Sequence, residues 1–333
     1  MGLDYLKGKT ILVTGGTGSI GRALVQEVLK YEPASIRVLS RDEYKQYCFH
    51  QELDDTSKVR FLMGDIRDKS RLSLAMENVD YVFNAAALKQ VPSCEFNPFE
   101  AVKTNVIGTQ NIIEVAMEKG VKKVILVSTD KVVNPINTMG TTKLLAEKLM
   151  GTANRYKGPR KTIFSCVRFG NVLGTRGSVI PLFLSQLREG KSITLTHADM
   201  TRFVMTLQKA VSLVLQAGQL AKYGETFILK MPCIRVLDLV EVIRGEYASL
   251  KGLKTVDLNI VGTREGEKLH EELLFAHELP YCKEETEMLI VGHTVNKDES
   301  IDKSIYDSEH STYLSKEEIL NLLLSLEEKQ GIL

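Results

Sequence analysis

The sequence predicts an α/β protein built on a doubly wound parallel sheet. Short apolar, β-branched segments alternate with amphipathic segments from residue 9 to about residue 172, and a glycine-rich turn joins the first such pair. Strands that are buried on both faces give nearly continuous apolar runs, and regular alternation with helices is typical of a parallel sheet covered on both sides.

Six strands and four helices are predicted in this first half. The strands are expected at 10–14, 35–39, 59–62, 81–83, 123–127 and 163–167. The helices are expected at 21–31, 70–77, 98–119 and 141–156. We expect these helices to cover the two faces of the sheet.

The first strand leads directly into a turn with glycines at positions 15, 18 and 21, and this turn opens the first helix. Glycine permits the tight turn, lets a pyrophosphate reach the backbone amides, and brings the helix close to the strand. An ordinary strand-to-helix turn is the alternative, but the position at the first βα junction favours a Rossmann-type dinucleotide site. The turn residues predicted to bind the cofactor are Gly15, Thr17, Gly18, Ser19, Ile20 and Gly21.

The end of the second strand indicates which dinucleotide binds. A carboxylate here takes the ribose hydroxyls in NAD enzymes, whereas an arginine accommodates the 2′-phosphate in NADP enzymes. Ser40 and Arg41 lie nearest the expected position and predict NADP, while the adjacent Asp42 keeps NAD as the alternative.

The ends of the third and fourth strands supply further predicted contacts. Asp65 and Ile66 follow the third strand, where an adenine ring would lie. Ala85, Ala86 and Ala87 follow the fourth strand, and their small side chains would let a cofactor approach the backbone.

The alternation weakens after residue 171. Helices are expected at about 181–189, 207–221 and 235–250, and residues 283–315 are expected to form a polar surface loop or strap before a closing helix at 315–326. We interpret residues 1–171 as the dinucleotide-binding domain and residues 172–333 mainly as a smaller, interleaved substrate lobe. A strand near 225–231 is expected to return to the main sheet.

Composition excludes several function classes. The 43 Lys and Arg residues balance 42 Asp and Glu residues, so no net field would attract nucleic acid or an anionic membrane. The five cysteines are dispersed and form no CxxC pair, which indicates free thiols rather than a disulfide framework or a metal site. No apolar run is long enough to span a bilayer. We therefore predict a cytoplasmic protein without nucleic-acid or membrane partners and without a metal.

Several ordered motifs resemble those of a known family. They lie at 85–92, 103–106, 128–135, 168–174, 176–181, 200–203 and 262–271. With the glycine turn, they resemble the extended short-chain dehydrogenase/reductase superfamily. The resemblance is closest to its UDP-N-acetylglucosamine 4,6-dehydratases of pseudaminic acid and capsule biosynthesis, and it covers residues 10 to about 275. It implies UDP-N-acetylglucosamine as substrate and a homo-oligomer, plausibly a hexamer.

One position departs from the superfamily pattern. The helix after the fifth strand usually carries Tyr-x-x-x-Lys, but here Met139 stands four residues before Lys143. A thioether cannot transfer a proton. The chain is therefore either a non-catalytic binding protein or an enzyme whose acid and base lie elsewhere. Some dehydratases of this group resemble it in having methionine there, which favours the second interpretation.

The adjacent Asp130 and Lys131 are the predicted acid and base. In the implied reaction, C4 of the sugar is oxidised, water is eliminated across C5 and C6, and hydride returns to C6. The resemblance implies that Lys131 takes the C5 proton and that Asp130 protonates the departing hydroxyl. Lys131 must be neutral for this role, so we expect burial or the nearby Lys89 to lower its pKa. Thr129 is the predicted partner of the C4 hydroxyl, with a turn cap as its alternative.

The remaining predictions concern binding. The resemblance extends the cofactor contacts to Lys89, Asn105, Ser128 and Lys143. It implies that Lys143 holds the nicotinamide ribose and belongs to the catalytic group with Thr129, Asp130 and Lys131. The predicted substrate contacts are Lys89, Met139, Asn171, Arg176, Val179, Met200, Thr201, Arg202, Arg264 and Glu267. Arginines suit the diphosphate because their planar forks pair with anionic oxygens, and a carboxylate suits ribose hydroxyls. His270 and Glu271 are expected to orient the sugar or brace the loop.

Two other functions remain open at this level. A nucleotide-sugar C4 epimerase would use the same hydride removal but would need no acid at C6, and it normally keeps the tyrosine. A redox sensor that binds NADP without catalysis would be consistent with Met139. Within the dehydratase interpretation, 40–43 resembles the group that inverts C5, and retention at C5 is the alternative.

Overall fold

The computed structural model describes residues 3–175, 177–292 and 301–330. The strands are β1 (Thr10–Thr14), β2 (Ser35–Ser40), β3 (Val59–Met63), β4 (Tyr81–Asn84), β5 (Lys123–Val127), β6 (Ile163–Arg168), β7 (Asn171–Val172), β8 (Ile193–Leu195), β9 (Thr201–Met205), β10 (Thr226–Leu229), β11 (Cys233–Arg235), β12 (Leu258–Ile260), β13 (Cys282–Glu284) and β14 (Met288–Val291). The helices are α1 (Ser19–Leu29), α2 (Glu43–Glu52), α3 (Lys69–Ala75), α4 (Val91–Phe96), α5 (Pro98–Ala101), α6 (Gly108–Lys119), α7 (Thr138–Tyr156), α8 (Val179–Arg188), α9 (Leu207–Leu220), α10 (Val236–Val242), α11 (Ala248–Leu250) and α12 (Lys316–Gln330).

Nine strands form the main sheet in the order β13-β14-β10-β6-β5-β4-β1-β2-β3. The run from β3 to β10 is parallel, and β14 and β13 are antiparallel additions at one edge. The strand order reverses between β1 and β4, and ligands of open α/β sheets bind at the carboxyl ends of the strands beside such a reversal. The predicted mixed α/β, doubly wound fold is confirmed.

Apolar side chains fill both faces of this sheet. One cluster joins α1, α2 and α9 to the sheet, with Leu24, Phe49 and Val214 fully buried. A second cluster packs α3, α6 and α7 on the opposite face. This two-sided cover explains why the strands are apolar throughout rather than alternating with polar residues.

The second half of the chain combines two smaller sheets with its own apolar cluster. β11, β9 and β7 form one sheet, and β12 pairs with β8 in the other. The cluster packs α8, α10 and α12 together. β10 joins the main sheet beside β6, where the sequence predicts a returning strand. The division into domains at residue 171 stays a prediction.

Several local features differ from the sequence prediction. The helix expected at 98–119 is interrupted by a π-helical segment at 102–107, between α5 and α6. The helix α2 was not expected, and it begins with Asp42 accepting a hydrogen bond from the Lys45 N–H. The predicted loop at 283–315 is wrong at its start, because the apolar run of β14 pairs with both β10 and β13. The strap that follows, at 301–314, is mainly irregular.

All five cysteines are free thiols, as the sequence predicts. Among the described residues, no helix has both the length and the apolar character needed to cross a membrane.

Candidate active site

A cleft of ≈ 660 Å³ opens at the carboxyl ends of the parallel strands, where the strand order reverses. Most of the predicted site residues line it: Gly15, Thr17, Gly18, Ser19, Ile20, Gly21, Ser40, Arg41, Asp65, Ile66, Ala85, Ala86, Ala87, Lys89, Ser128, Thr129, Lys131, Met139, Lys143 and Asn171. The topology therefore brings the ends of β1, β2, β3, β4 and β5 to one cavity.

The glycine turn leaves no room for side chains. Gly15 has φ +65°, and a Cβ atom there would lie 2.7 Å from the Ala86 backbone nitrogen. A Cβ atom on Gly21 would lie 2.3 Å from the Gly15 carbonyl oxygen. The turn is thus pressed against the end of β4, and α1 presents its first N–H groups to the cleft. This geometry fits a dinucleotide pyrophosphate.

Charged groups surround the end of β2. Arg41 is half-exposed, and its guanidinium lies 3.5 Å from the Asp65 carboxylate. The Asp42 carboxylate caps α2 and pairs with the Lys45 ammonium at 2.7 Å. Lys45 also lines the cleft, although the sequence analysis did not select it. Lys45 lies three residues after the helix-capping Asp42, and this spacing is the sequence signal that could have indicated its position near the end of β2.

Two buried hydroxyl groups lie at the floor of the cleft. Ser128 and Thr104 are each more than nine-tenths buried, line the cavity, and have no hydrogen-bond partner for Oγ or Oγ1 within the described chain. Because buried hydroxyls are normally satisfied, both are suited to a bound polar ligand. Thr104 was missed by the sequence analysis, and its position in the π-helical segment could not be read from composition.

The predicted cofactor contact of Asn105 stays a prediction. Asn105 does not line the cleft. Its amide group instead bonds both the N–H and the carbonyl of Leu88, and it donates to the Thr142 hydroxyl at 3.0 Å. These bonds tie the segment after β4 to α7, so Asn105 supports the cleft wall that carries Lys89.

Asp130 and Lys131 lie together at the end of β5. The Asp130 side chain is fully buried, and its Oδ1 accepts hydrogen bonds from Thr129 Oγ1 at 2.8 Å and Lys131 Nζ at 3.0 Å. Its Oδ2 has no partner among the described residues. A Cβ atom on Gly170 would lie 3.1 Å from that oxygen, so glycine is needed for the close approach.

The predicted lowering of the Lys131 pKa is wrong. Burial does act to lower it, but the carboxylates of Asp130 and Glu271 outweigh burial and raise the pKa of Lys131 above its ordinary value. Glu271 Oε1 lies 3.2 Å from the ammonium. The sequence could not show this second carboxylate, because it comes from a segment 140 positions further along the chain.

Lys143 has the opposite shift. Its ammonium is buried and donates to the Val127 carbonyl at 2.6 Å. Burial lowers the pKa of Lys143 to about 8, although the Glu147 carboxylate on the next turn of α7 opposes the shift. The amine lines the cleft beside the end of β5, where the sequence analysis places the nicotinamide ribose.

Met139 forms an apolar wall. It is buried with Cys94 and Ala101, and Leu88 and Val91 pack against the same cluster. A thioether therefore lines the cleft at the position where the superfamily pattern has a tyrosine. The hydroxyl that contacts the Asp130–Lys131 pair is that of Thr129.

The residues predicted at the nucleotide end are not all brought to the cleft. Asn171 lines it and has an unpartnered Oδ1, whereas Arg176 lies outside the described residues. Val179, Met200, Thr201, Arg202, Arg264 and Glu267 do not line it. Their substrate contacts stay predictions.

Internal contacts explain three of these positions. The Arg202 guanidinium donates to the carbonyls of Thr201, Lys268 and Leu269, so it braces the 268–269 backbone. Thr201 shares its hydroxyl with His270 and Ser308. Met200 is buried in the apolar cluster of the second lobe.

Comparisons with known proteins agree with this geometry. Residues 11–293 match the model of a family described as "Polysaccharide biosynthesis protein". The chain is 54% identical to the uncharacterized membrane protein MJ1061 of Methanocaldococcus jannaschii, over 96% of each chain. It is 43% identical to the UDP-glucose 4-epimerase of Rickettsia prowazekii, over 81% of this chain and 79% of that one.

Solved structures show the same fold. Pen from Bacillus thuringiensis is 44% identical with a TM-score of 0.91, over 96% of this chain and 98% of that one. The dTDP-glucose 4,6-dehydratase DesIV from Streptomyces venezuelae, solved with NAD bound, is 21% identical with a TM-score of 0.73, over 97% and 98%. Because the family match spans most of its length, this chain belongs to the polysaccharide biosynthesis protein family and has the fold of the extended short-chain dehydrogenases/reductases.

Proposed function

We propose that this protein is a UDP-N-acetylglucosamine 4,6-dehydratase that uses NADP and inverts C5. The observation that carries the proposal is the Asp130–Lys131 pair: the Lys131 amine lines the dinucleotide-shaped cleft, and the Asp130 carboxyl group, which is fully buried and does not itself line the cleft, lies 3.0 Å from that amine. An elimination across C5 and C6 needs both an acid and a base at one side of the sugar.

The residues at the cleft have different roles in the proposed reaction. A bound nicotinamide dinucleotide would supply hydride acceptance at C4 and hydride return at C6. Lys143 holds the ribose end in place. Thr129 bonds the C4 hydroxyl and passes the proton released on oxidation to Asp130, whose Oδ1 it contacts at 2.8 Å. Oxidation at C4 acidifies the C5 proton, so the Lys131 amine removes it while Asp130 gives a proton to the leaving C6 hydroxyl. The Asp130 side chain is fully buried, so it is shielded from bulk water.

NADP is supported by the groups around the end of β2. Arg41 and Lys45 line the cleft, and the Asp42 carboxylate is already used by the α2 cap and by Lys45. A carboxylate in that state is a poor partner for ribose hydroxyls, whereas two cations suit a 2′-phosphate. DesIV was solved with NAD, so NAD is the alternative.

Epimerase names among the relatives give the second candidate function. A C4 epimerase needs no acid at C6 and relies on a proton-transferring group for the C4 hydroxyl. Met139 lies in an apolar cluster and cannot serve in that role. The buried, partly unpaired Asp130 has a task in dehydration but none in epimerisation, and we therefore favour the dehydratase.

Mass spectrometry separates the dehydratase from the other two candidates, and the proton NMR spectrum of the sugar separates an epimerised product from unreacted substrate. The purified protein, incubated with NADP and UDP-N-acetylglucosamine, should yield a product lighter by one water. An epimerase would leave the mass unchanged, and a non-catalytic sensor would leave the substrate unchanged. Proton couplings of the product would report inversion or retention at C5.

Substitution of Lys131 tests the base directly. In heavy water, Lys131→Ala should slow deuterium entry at C5 by about 10²–10⁴-fold, because a positioned general base contributes roughly that much. Lys122→Ala is a suitable control, since its ammonium pairs with Asp80 on the surface, away from the cleft. Equal exchange in the two variants would exclude Lys131 as the base.

The oligomeric state and the cellular location are further parts of this proposal. A homo-oligomer, plausibly a hexamer, and a cytoplasmic site both remain predictions from the sequence.

A further inference from the structure

Glu271 is a second carboxylate in direct contact with the candidate base. Its side chain is 1% exposed, and its Oε1 lies 3.2 Å from Lys131 Nζ. The Asp130 carboxylate contacts the same ammonium at 3.0 Å. Glu271 Oε2 is buried and has no hydrogen-bond partner among the described residues. One oxygen thus faces the amine and the other can accept a proton.

The strap at 301–314 fixes Glu271 in this position. The Glu271 N–H donates to the Ser308 hydroxyl at 2.7 Å, and the Ser308 N–H donates to the Glu271 carbonyl at 2.9 Å. The Ser308 hydroxyl also bonds Thr201 at 2.8 Å. Because the N–H and the carbonyl of Glu271 are both bonded to Ser308, the backbone holds the Glu271 carboxylate beside Lys131 without a bound ligand.

This geometry resolves a difficulty in the proposed mechanism. An amine can take the C5 proton only when it is neutral, yet its two carboxylate neighbours favour the ammonium form. Asp130 does not take this proton, because it receives the proton released from the C4 hydroxyl through Thr129 and then passes that proton to the leaving hydroxyl. Glu271 is the other carboxylate within hydrogen-bonding distance.

We propose that Glu271 accepts the proton of the Lys131 ammonium, so that the resulting amine can remove the C5 proton. This inference rests on the proposed dehydratase function. Glu271 acts through Lys131, and it is therefore a positioning residue rather than a catalytic one.

The proton balance closes when solvent and the C4 hydroxyl proton, relayed by Thr129 to Asp130, are counted with Lys131, Glu271 and the substrate. The first transfer breaks the Lys131 N–H bond and forms the Glu271 O–H bond. The C5–H bond then breaks and its proton joins the Lys131 amine. Its electron pair forms the C5–C6 double bond as the C6–O bond breaks, and the hydroxyl leaves as water with the Asp130 proton. Afterwards Lys131 keeps the proton from C5, Asp130 is again a carboxylate, and Glu271 releases its proton to solvent. When hydride returns to C6, C5 takes a proton from solvent.

The groups facing Lys131 come from three parts of the chain. Asp130 precedes it, Glu271 comes from the segment beyond β12, and Arg202 comes from β9. The Arg202 charge favours the neutral amine, whereas both carboxylates favour the ammonium. Removing the Glu271 charge should therefore lower the pKa of Lys131 and at the same time remove its proton acceptor.

The test is the pH profile of Glu271→Gln in the full-length protein. At neutral pH, C5 exchange and water loss should fall about 10–100-fold, because the ammonium must now lose its proton to solvent. Both rates should then rise about tenfold per pH unit, whereas the unsubstituted protein should show no such slope. Hydride removal from C4, followed as nicotinamide absorbance, should persist. NMR of ¹³Cε-labelled lysine should show a lowered pKa for Lys131, its signal identified by its loss in Lys131→Arg.

Two further variants keep the test decisive. Glu271→Asp keeps a carboxylate and should restore a flat profile. Glu272→Gln removes the neighbouring carboxylate, which bonds Asn134 rather than Lys131, and should behave as the unsubstituted protein. If the pH profile of C5 exchange and water loss for Glu271→Gln were parallel to that of the unsubstituted protein, the inference would be overturned. Absence of water loss in the unsubstituted protein would instead overturn the proposed function.

Discussion

At the scale of single residues, the pKa values of two lysines in one cleft are shifted in opposite directions. Lys131 contacts two carboxylates, which raise its pKa despite burial. Lys143 has a backbone carbonyl as its hydrogen-bond partner, and burial lowers its pKa to about 8. Sequence alone predicted lowering for Lys131, because it could show that the residue lies at a strand end but not which distant carboxylate faces it.

The low pKa of Lys143 gives a pH-dependent stability difference. Between pH 8 and 10.5 the unfolded chain binds a proton at this lysine that the folded chain lacks, so the free energy of unfolding rises with pH. Relative to Lys143→Met, the nucleotide-free protein should therefore gain up to about 3 kcal/mol between pH 7 and pH 10.5. Urea unfolding of both proteins at the two pH values measures this difference. A stability difference that does not change with pH would show that Lys143 titrates normally.

At the scale of elements, the β1–α1 turn is the feature that sequence predicts most completely. Its glycine spacing follows from backbone geometry over a few residues, and so does its place between a strand and a helix. The same holds for the ends of β2, β4 and β5, which parallel pairing brings to one edge.

Substitution of Gly15 tests the packing of this turn. Gly15→Ala combines a positive φ with contact against the Ala86 backbone, and it should destabilise the fold by roughly 3 kcal/mol or more. Gly120→Ala is the matched control, because it has φ +68° but no atom within 4 Å of the added Cβ. It should cost roughly 1–2 kcal/mol. Urea unfolding measures both, and NADP titration should show weakened binding for Gly15→Ala only. Equal effects would mean that the turn can relax away from β4.

Elements held together by distant contacts could not be predicted. The strand β14 is a four-residue apolar run within a polar region, too short to be recognised with certainty as a strand, and it becomes a sheet strand through its pairing with β10 and β13. Within the π-helical segment at 102–107, Asn105 bonds Leu88 and Thr142, which lie in other parts of the chain. Met200 and Thr201 resemble a ligand-binding motif in sequence, yet their contacts are internal, because neighbouring motif residues need not face the same side.

At the scale of the whole molecule, a buried ion triad joins three parts of the chain. The Arg168 guanidinium at the end of β6 is 1% exposed and pairs with Glu147 of α7 at 2.7 Å. It also pairs with Glu278 at 2.8 Å and bonds the Leu273 carbonyl. The segment that carries Glu271 is therefore anchored to the main sheet a few residues beyond the candidate site, as well as to the strap.

Removing one member of this triad should destabilise the whole fold. Glu278→Gln leaves part of the Arg168 charge unpaired in the interior, and losing one partner of a buried ion pair costs about 3–5 kcal/mol. Glu77→Gln breaks the surface pair with Lys119 and should cost less than about 1 kcal/mol. Urea unfolding of both variants provides the comparison. Equal losses would show that the triad contributes no more than a surface pair, and the anchoring of the 271–278 segment would then have to come from its backbone contacts with the strap.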